Sequence, residues 1–556
     1  MYNILIGGAA GQGIETTAAI LEKLLKKSGY YVFTVRDFMS RVRGGHNFTL
    51  IRFGTEPVMS HSYRLDGLIA LNDETVEIHK VQVSPEGFIL CDSTIATDDP
   101  RAIKIDMKAI SAAIGNPRVS GSIAVGVLLK LFGENMDHVS TVLSEFVKDT
   151  FIDINIKAVS EGYNIVDRRF EHLPGKCGDW MILTGSNALS LGAIAAGLRF
   201  YSAYPMSPST TIMEYLAEES EKAGIVVEQA EDEIAAVNMA IGASYAGARA
   251  MTGTSGGGFA LKVEALGLSG LAEIPLVVVD VQRPGPVTGL PTRTEQSDLR
   301  FVIHASQGEF PRVVIAVRHH ADAFYQTVRA FDLAEKYQIP IILLSDQYLG
   351  DASATVEPFD LTRIHVAEPA SSWDGEGEYL RYRYTDDGIS PRLIPGKSAN
   401  FVASDSDEHT QEGRITESAE VRIRMMDKRM KKLEKIKLEL QEPDFIGSDS
   451  FSTLLVGWGS TYGPITEAVR ILNAKDPGTY AALVFGDIYP LPTQQITQKA
   501  VQAVNIVNVE QNATGQLAGL IREYAGIAVT SSILKYDGRQ ITGEEIADRV
   551  SREVRT

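Results

Sequence analysis

The sequence predicts an α/β protein of three α/β domains, and three observations predict it. Short apolar runs of strand length recur along the 556 residues, as in YNILIG at 2–7, IPLVVVDV at 274–281 and STLLVGW at 452–458. Such runs are followed by glycine- or hydroxyl-rich turns and then by segments with helical spacing of their apolar residues. The chain is also too long for one hydrophobic core. Alternating strands and helices favour parallel, doubly wound sheets.

The elements follow in order. YNILIG reads as a buried strand, and GGAAGQG opens a helix, GIETTAAILEKLLKKSG, that ends at Gly29. YYVFTVRD is a second strand, giving a β–loop–α–β start. FTLIRFG, LDGLIAL and GFILCDS continue the strand signals, and EHLPGKCGDW reads as a linker near residue 175. This bounds a first domain at 1–174. A second, 175–351, begins with the small-residue helix of GSNALSLGAIAAGLRF and its following strand, and closes at IPIILLSDQYLG. Residues 352–449 are polar, with a charged helix in VRIRMMDKRMKKLEKIKLELQEP that reads as a solvated bridge between domains. STLLVGWGSTYGPITEAVRILN opens a third α/β domain at 450–556. There is no short-period repeat.

Bulk properties narrow the function classes. Hydrophobic residues make up 44% and charged residues 22%, as in soluble globular proteins. A net charge of −18 argues against nucleic acid as a partner, because phosphate binding needs basic surface. The two cysteines, Cys91 and Cys177, belong to no CxxC, so neither an iron–sulfur cluster nor structural zinc is expected on this chain, and a cytoplasmic location is expected. The N-terminus lacks a signal-peptide pattern, and no run of ~20 uncharged apolar residues suggests a membrane span.

Six segments could carry chemistry. YSAYPMSPST at 201–210 stiffens the backbone with Pro205 and Pro208 just before a helix and fills its start with hydroxyls. Unpaired N–H groups and the dipole at a helix start make such a segment either a plain cap or a pre-organised anion receptor. The loop Gly7–Gly13 is spaced GxxGxG rather than GxGxxG, with Asp37 where a ribose-binding acid would stand. It could cradle a phosphate or simply pack tightly. Arg41 and Arg43 put cations next to Gly44-Gly45, a cluster that could bind an anionic ligand or simply form a polar turn. Glu228, Glu231, Asp232 and Glu233 precede an Ala/Gly-rich helix. They serve either as dipole complements or, at Glu233, as a desolvated carboxylate able to share a proton. Gly256-Gly257-Gly258 exposes backbone, and the Pro/Gly-stiffened loop from Arg283 to Gln296 carries two arginines, Arg283 and Arg293, either surface residues or forks for a carboxylate.

Together these segments resemble the 2-oxoacid:ferredoxin oxidoreductases, in the form with a gamma-type domain fused ahead of the alpha subunit. IGGAAGQGIETTA and RVRGGHNFTLIRFG resemble the gamma domain. YPMSPST, EQAEDEIAAVNMAIGASYAGARAMTGTSGGGF and RPGPVTGLPTRTEQSDL resemble the alpha subunit's pyrimidine-binding domain, and GISPRLIPG, DEHTQEG and GWGSTYGPITEA its later regions. The resemblance implies a gamma-type Rossmann-like domain that covers CoA, a pyrimidine-binding domain of the thiamine diphosphate fold and a C-terminal transketolase-C-like domain. It implies that Glu233 contacts the cofactor's N1′ and promotes its imino tautomer, with Pro205, Gly256 and Gly257 beside the cofactor. Ser207 and Arg293, with Tyr204 and Thr210, would receive the substrate carboxylate. Gly8, Gly11, Gly13, Arg41 and Arg43 would help hold CoA. Departures from the family pattern stand at Met206, Ser207 and Gly257.

The diphosphate–magnesium signature and cluster cysteines are missing from the sequence. Mg2+ and a [4Fe-4S] cluster are therefore expected on a separate beta subunit, and no metal ligands are assigned here. Expected partners are that subunit in an (alpha-beta)2 assembly, ferredoxin, a 2-oxoacid and CoA. The fused form resembles 2-oxoglutarate enzymes most. Pyruvate or a branched-chain 2-oxoacid as substrate, a non-catalytic paralogue or assembly subunit, and a nicotinamide-dependent dehydrogenase stay open as alternatives.

Overall fold

The computed structural model describes residues 1–39, 45–173, 175–364, 366, 373 and 377–553. They form two compact units, Met1–Leu183 with Asp351–Pro358, and Thr184–Gly350 with Phe359–Thr556.

The first unit is built on an eight-stranded mixed sheet. Its spatial order is Ala102–Ile105, Val83–Asp92, Leu65–Ala70, Tyr2–Ala9, His46–Gly54, Tyr31–Asp37, Ser353–Val356 and Met181–Thr184. Tyr2–Ala9 runs parallel to Leu65–Ala70 and antiparallel to His46–Gly54. Tyr31–Asp37 is antiparallel to His46–Gly54, so the β–α–β start is present with an antiparallel strand inserted between its two strands. Alternate residues of the first strand serve two cores. Ile4 and Ile6 pack with Leu21 and Leu25 of the helix Ile14–Lys27, and Leu5 packs with Leu50 and Leu68 on the other face. Residues 353–356, SATV, add a strand to this sheet ahead of the polar segment.

The second unit holds two sheets. In the seven-stranded sheet the order is Asp487–Tyr489, Val313–Ala316, Pro340–Asp346, Leu276–Gln282, Ala250–Thr254, Phe200–Ala203 and Val226–Gln229. Every pairing is parallel except that of the edge strand Asp487–Tyr489. Leu276–Gln282 and Pro340–Asp346 are buried at every position, as central parallel strands covered on both faces must be. The five-stranded sheet runs Asp444–Gly447, Tyr480–Phe485, Thr453–Trp458, Asn505–Glu510, Ser531–Leu534, with only the first strand antiparallel. One core joins the two sheets: Val278, Val314 and Leu344 of the larger pack in the cluster that holds Leu454, Trp458 and Phe485 of the smaller.

The charged helix, Ala419–Ile436, is not the solvated element its composition suggests. Lys428, Arg429 and Lys432 are buried on it. Lys428 Nζ donates to Glu273 Oε1 at 2.5 Å, and Lys432 Nζ lies 2.6 Å from Oε2. Arg429 forks onto both oxygens of Glu408, at 3.0 and 2.7 Å. Burial opposes the charge of Glu273, yet Lys428, Lys432 and Arg381 hold its carboxyl well below the usual carboxylate range. The basic face thus supplies countercharges for the buried Glu273, 155 positions from Lys428, and for the half-buried Glu408. Among the described residues no helix is long and apolar enough to cross a membrane.

Candidate active site

The segments singled out in the middle of the sequence converge because each follows the carboxyl end of a strand. In the seven-stranded sheet Leu276–Gln282, Ala250–Thr254, Phe200–Ala203 and Val226–Gln229 are consecutive neighbours. Tyr204 to Thr210 follow Phe200–Ala203, Glu233 follows Val226–Gln229, Gly256 follows Ala250–Thr254, and Arg283 opens the loop after Leu276–Gln282. The connection from Phe200–Ala203 leads outward to the sheet edge, while that from Ala250–Thr254 leads the opposite way. Such a reversal opens a crevice beyond the strand ends, where doubly wound sheets bind ligands.

Glu233 is the first residue of the helix Glu233–Tyr245, whose start is capped by Asp232 accepting from Ala235 N at 2.7 Å. Its side chain is buried, and Oε1 meets no hydrogen-bond donor among the described residues. A buried carboxylate oxygen without a donor is costly and points to a missing partner. Gly258, in the first turn of the 16-residue helix Gly256–Leu271, makes room for it. A Cβ there would lie 2.5 Å from Glu233 Oε1 and would also strike Thr254 Oγ1. Behind, the fully buried Lys262 donates from Nζ to Thr252 Oγ1 at 2.9 Å and to the Glu233 carbonyl at 3.3 Å. Burial brings Lys262 down to about 8 even though Glu233 and Asp232 favour its charge.

On the other side of the same helix start lie two acids. The Asp298 carboxylate leaves no space for a Cβ at Gly256. Asp280 is fully buried within the strand Leu276–Gln282, two residues before its end, and neither oxygen meets a donor among the described residues. Burial and mutual repulsion push Asp280 well above the usual carboxylate range, and burial takes Asp298 to about 6 despite Arg283. Burial and the neighbouring acid therefore favour the neutral form of Asp280.

The Pro205–Pro208 segment is not a plain cap. The helix Thr210–Ala223 has no side-chain cap at Ser209, whose hydroxyl turns back to the Met206 carbonyl at 2.7 Å. Thr211 Oγ1 donates to Ser186 Oγ at 2.9 Å. Ser207 and Tyr204 are exposed, Pro205 and Thr210 half-buried, and the Ser207–Pro208 peptide is cis. Arg283 Nη1 donates to the Ser207 carbonyl, which ties this segment to the Arg283–Gln296 loop. That loop crosses the helix start: a Cβ at Gly257 would stand 3.4 Å from the Val287 carbonyl. Arg293 is half-buried in it, its N–H on the Leu290 carbonyl at 3.1 Å. Lys262 and the Asp280–Asp298 pair were not singled out from sequence. Arg283 was, as one of the two arginines of the stiffened loop, and the structure puts its guanidinium on the Ser207 carbonyl.

In the first unit the glycine loop leads into the helix Ile14–Lys27 and borders a cavity of about 310 Å³ lined in part by Gly11, Gly13, Arg36, Asp37, Asn47 and Thr49. Gly8 serves packing, since a Cβ would meet Gln12 and Leu71. Gly11 and Gly13 have φ of +90° and +79° with open space around them, so only backbone conformation demands glycine there. Arg41 and Arg43 lie outside the described residues.

Comparisons with known proteins match this arrangement. Residues 191–428 match the family described as "Pyruvate flavodoxin/ferredoxin oxidoreductase, thiamine diP-bdg", and residues 3–165 match "Pyruvate ferredoxin/flavodoxin oxidoreductase". The 2-oxoacid:ferredoxin oxidoreductase subunit alpha of Sulfolobus sp is 32% identical over 619 aligned positions, covering 99% of this chain and 96% of that one. The 2-oxoglutarate oxidoreductase subunit KorA of Mycobacterium tuberculosis is 31% identical, covering 77% of this chain and 67% of its own. The structure of a 2-oxoglutarate:ferredoxin oxidoreductase from Magnetococcus marinus, with 2-oxoglutarate, coenzyme A and succinyl-CoA bound, is similar with a TM-score of 0.94 at 31% identity, covering 100% of this chain and 99% of that one. The chain therefore belongs to the 2-oxoacid:ferredoxin oxidoreductase family, as an alpha subunit of that multisubunit oxidoreductase.

Proposed function

We propose that this chain, with a beta subunit, converts 2-oxoglutarate, CoA and two oxidised ferredoxins to succinyl-CoA, CO2, two reduced ferredoxins and a proton, and that the same site runs the reverse reaction. One observation carries the reading: Glu233 holds a buried, unpartnered carboxylate oxygen against Gly258 at the strand-end crevice. The names of the Mycobacterium relative and of the Magnetococcus structure support 2-oxoglutarate over pyruvate.

These residues fit the aminopyrimidine half of thiamine diphosphate. Glu233 supplies an acceptor that lacks a donor, and Gly256 and Gly257 leave backbone exposed beside it, with Pro205 opposite on the neighbouring strand end. Thiamine diphosphate, when bound, supplies the nucleophile and electron sink for loss of CO2 from a 2-oxoacid. Glu233, held in place through its carbonyl by Lys262, would face the ring nitrogen N1′ and could exchange a proton with it. Ser207 and Arg293, with Tyr204 and Thr210, orient the substrate's 1-carboxylate through charge-assisted hydrogen bonds. Ile234, next to Glu233 on the helix it opens, and Leu261, on the helix Gly256–Leu271, are 52% and 50% exposed, and Val287 on the loop is 85% exposed. Apolar side chains around a functional carboxylate fit a surface that a beta subunit covers, and that subunit would bring Mg2+ and the [4Fe-4S] cluster. The gamma-type domain at 1–174 would hold CoA at the Gly11–Gly13 loop, with Gly8, Arg41 and Arg43. An (alpha-beta)2 assembly, ferredoxin as acceptor and a cytoplasmic site complete the proposal.

The test is co-purification with the neighbour-encoded partner, then CoA-dependent viologen reduction with 2-oxoglutarate, pyruvate and branched 2-oxoacids. The reading expects a preference for 2-oxoglutarate. A preference for pyruvate reassigns the substrate, and no turnover with any 2-oxoacid overturns the catalytic reading. Replacement of Arg41 and Arg43 by alanine is expected to raise the KM for CoA alone.

A further inference from the structure

We infer that Gln296 is a positioning residue for substrate binding: it sets the place of Arg293 by pinning the end of the arginine loop to two turns of the five-stranded sheet. The inference rests on the proposed role of Arg293.

The loop after Leu276–Gln282 has an exposed tip at 285–290 and a buried close. At that close Gln296 is fully buried and makes four hydrogen bonds. Its N–H donates to the Gln511 carbonyl at 2.7 Å, and its Oε1 accepts from the Gln511 N–H at 3.2 Å. Its Nε2 donates to the Trp458 carbonyl at 2.9 Å, and its carbonyl accepts from Asn512 Nδ2 at 3.1 Å. Trp458 ends the strand Thr453–Trp458, and Gln511 and Asn512 follow the adjacent parallel strand Asn505–Glu510. Gln296 therefore plugs into the carboxyl ends of two strands of the other sheet. It pairs with Gln511 much as a strand residue pairs with its neighbour, except that one of the two bonds comes from a side chain.

The socket is itself rigid. Gln511 Oε1 accepts from Ile541 N at 2.8 Å. The Glu510 carboxylate accepts from Trp458 Nε1 at 3.0 Å, from Asn512 Nδ2 at 2.8 Å and from Leu517 N at 2.9 Å. A second pin stands two residues earlier. Thr294 N donates to the Gly538 carbonyl at 3.4 Å, and Thr294 Oγ1 accepts from Tyr348 N at 3.3 Å. Gly538 lies directly against Arg293, where a Cβ would come within 3.2 Å of the arginine Cβ. Arg293 is thus the residue immediately ahead of a doubly fixed stretch. An apolar side chain at 296 could join the two sheets equally well, because a shared apolar core already does so. What a fully satisfied amide adds is one register, and a guanidinium fork needs that register to meet a carboxylate squarely.

The assembled enzyme with its partner subunit tests this. Gln296→Met keeps the volume and removes both side-chain bonds. It is expected to raise the KM for the 2-oxoacid roughly 10-fold, leave kcat within about 3-fold, and leave the KM for CoA unchanged. In an Arg293→Met background the same change is expected to add nothing, because the two act as one unit. An unchanged oxoacid KM in Gln296→Met, or an undiminished effect in the double variant, overturns the inference. If Gln296→Met does not assemble, Thr294→Val carries the same expectations at about 3-fold, and an unchanged KM there overturns it equally. Should Arg293→Met by itself leave the oxoacid KM unchanged, the proposed role of Arg293 falls, and with it this inference. A rise in Arg293→Met without one in Gln296→Met defeats only the positioning role.

Discussion

Arg283 donates through Nη1 to the backbone carbonyl of Ser207 at 2.5 Å, so the loop bearing one proposed substrate contact holds the turn bearing the other. Burial works against the charge of Arg283, with Asp298 partly restoring it. A charge-assisted bond of this kind contributes about 1.5–3 kcal/mol. Arg283→Gln is expected to raise the KM for the 2-oxoacid by roughly 10-fold or more while cofactor retention is unchanged. Initial rates and thiamine content of the assembled variant check it.

Arg293→Met is expected to weaken pyruvate and 2-oxoglutarate alike, by ~10- to 100-fold, because the 1-carboxylate is common to both. Arg293→Lys keeps the charge but loses the fork and should fall between. Loss confined to 2-oxoglutarate would mean that Arg293 reads the distal carboxylate.

Glu233→Gln keeps the shape but cannot exchange a proton. Exchange of the C2 proton of bound thiamine diphosphate should slow by roughly 10² to 10⁴, the usual share of a general acid–base group. Magnetic resonance of the assembled variant measures this, and circular dichroism should show an unchanged fold.

Glu295 is pushed up to about 7 by burial, with Asp298 and Asp537 adding to it. It is neutral below that pH and anionic above it, two residues from Arg293. The KM for the 2-oxoacid is therefore expected to rise between about pH 6 and about pH 8, as a negative charge appears beside the loop. Glu295→Gln should flatten that rise.

Glu273 carries a stability prediction. Its folded carboxyl is depressed below the ordinary value of 4.5, so its contribution is complete above that value and is lost as the pH falls below it. Thermal melts from about pH 6 down to about pH 3 should show a smaller acid slope in Glu273→Gln than in the wild type. At neutral pH that variant leaves Lys428 and Lys432 buried without their acid, which costs about 3–5 kcal/mol.

The sequence made the crevice legible because its segments are local: a strand, a turn of particular residues, then a helix. YPMSPST, AEDE and GTSGGG each announce a strand end, and parallel alternation brings strand ends to one side. The partners of those turns were not legible. The link between Arg283 and Ser207 joins two strand-end loops whose neighbourhood depends on strand order, which spacing does not encode. The helix Ala419–Ile436 shows the same limit. Its lysines look solvated because Glu273, the acid that neutralises them, lies at the end of another helix 155 positions from Lys428. Lys262 was passed over because a single lysine in an apolar helix reads as a surface residue until burial is seen.

The edge strand Asp487–Tyr489 pairs with Val313–Ala316 and thereby completes the seven-stranded sheet, and Arg329 locks it through Asp487 at 2.6 Å. During synthesis that edge emerges from the ribosome long before its cover. For all the time needed to make the intervening residues, the fully apolar Val313–Ala316 edge stands open to other nascent chains. A nascent chain stalled short of residue 487 would carry the strand ends of the crevice on a sheet with an unguarded side, and would lack Gln511, Asn512 and Gly538, which fix its arginine loop.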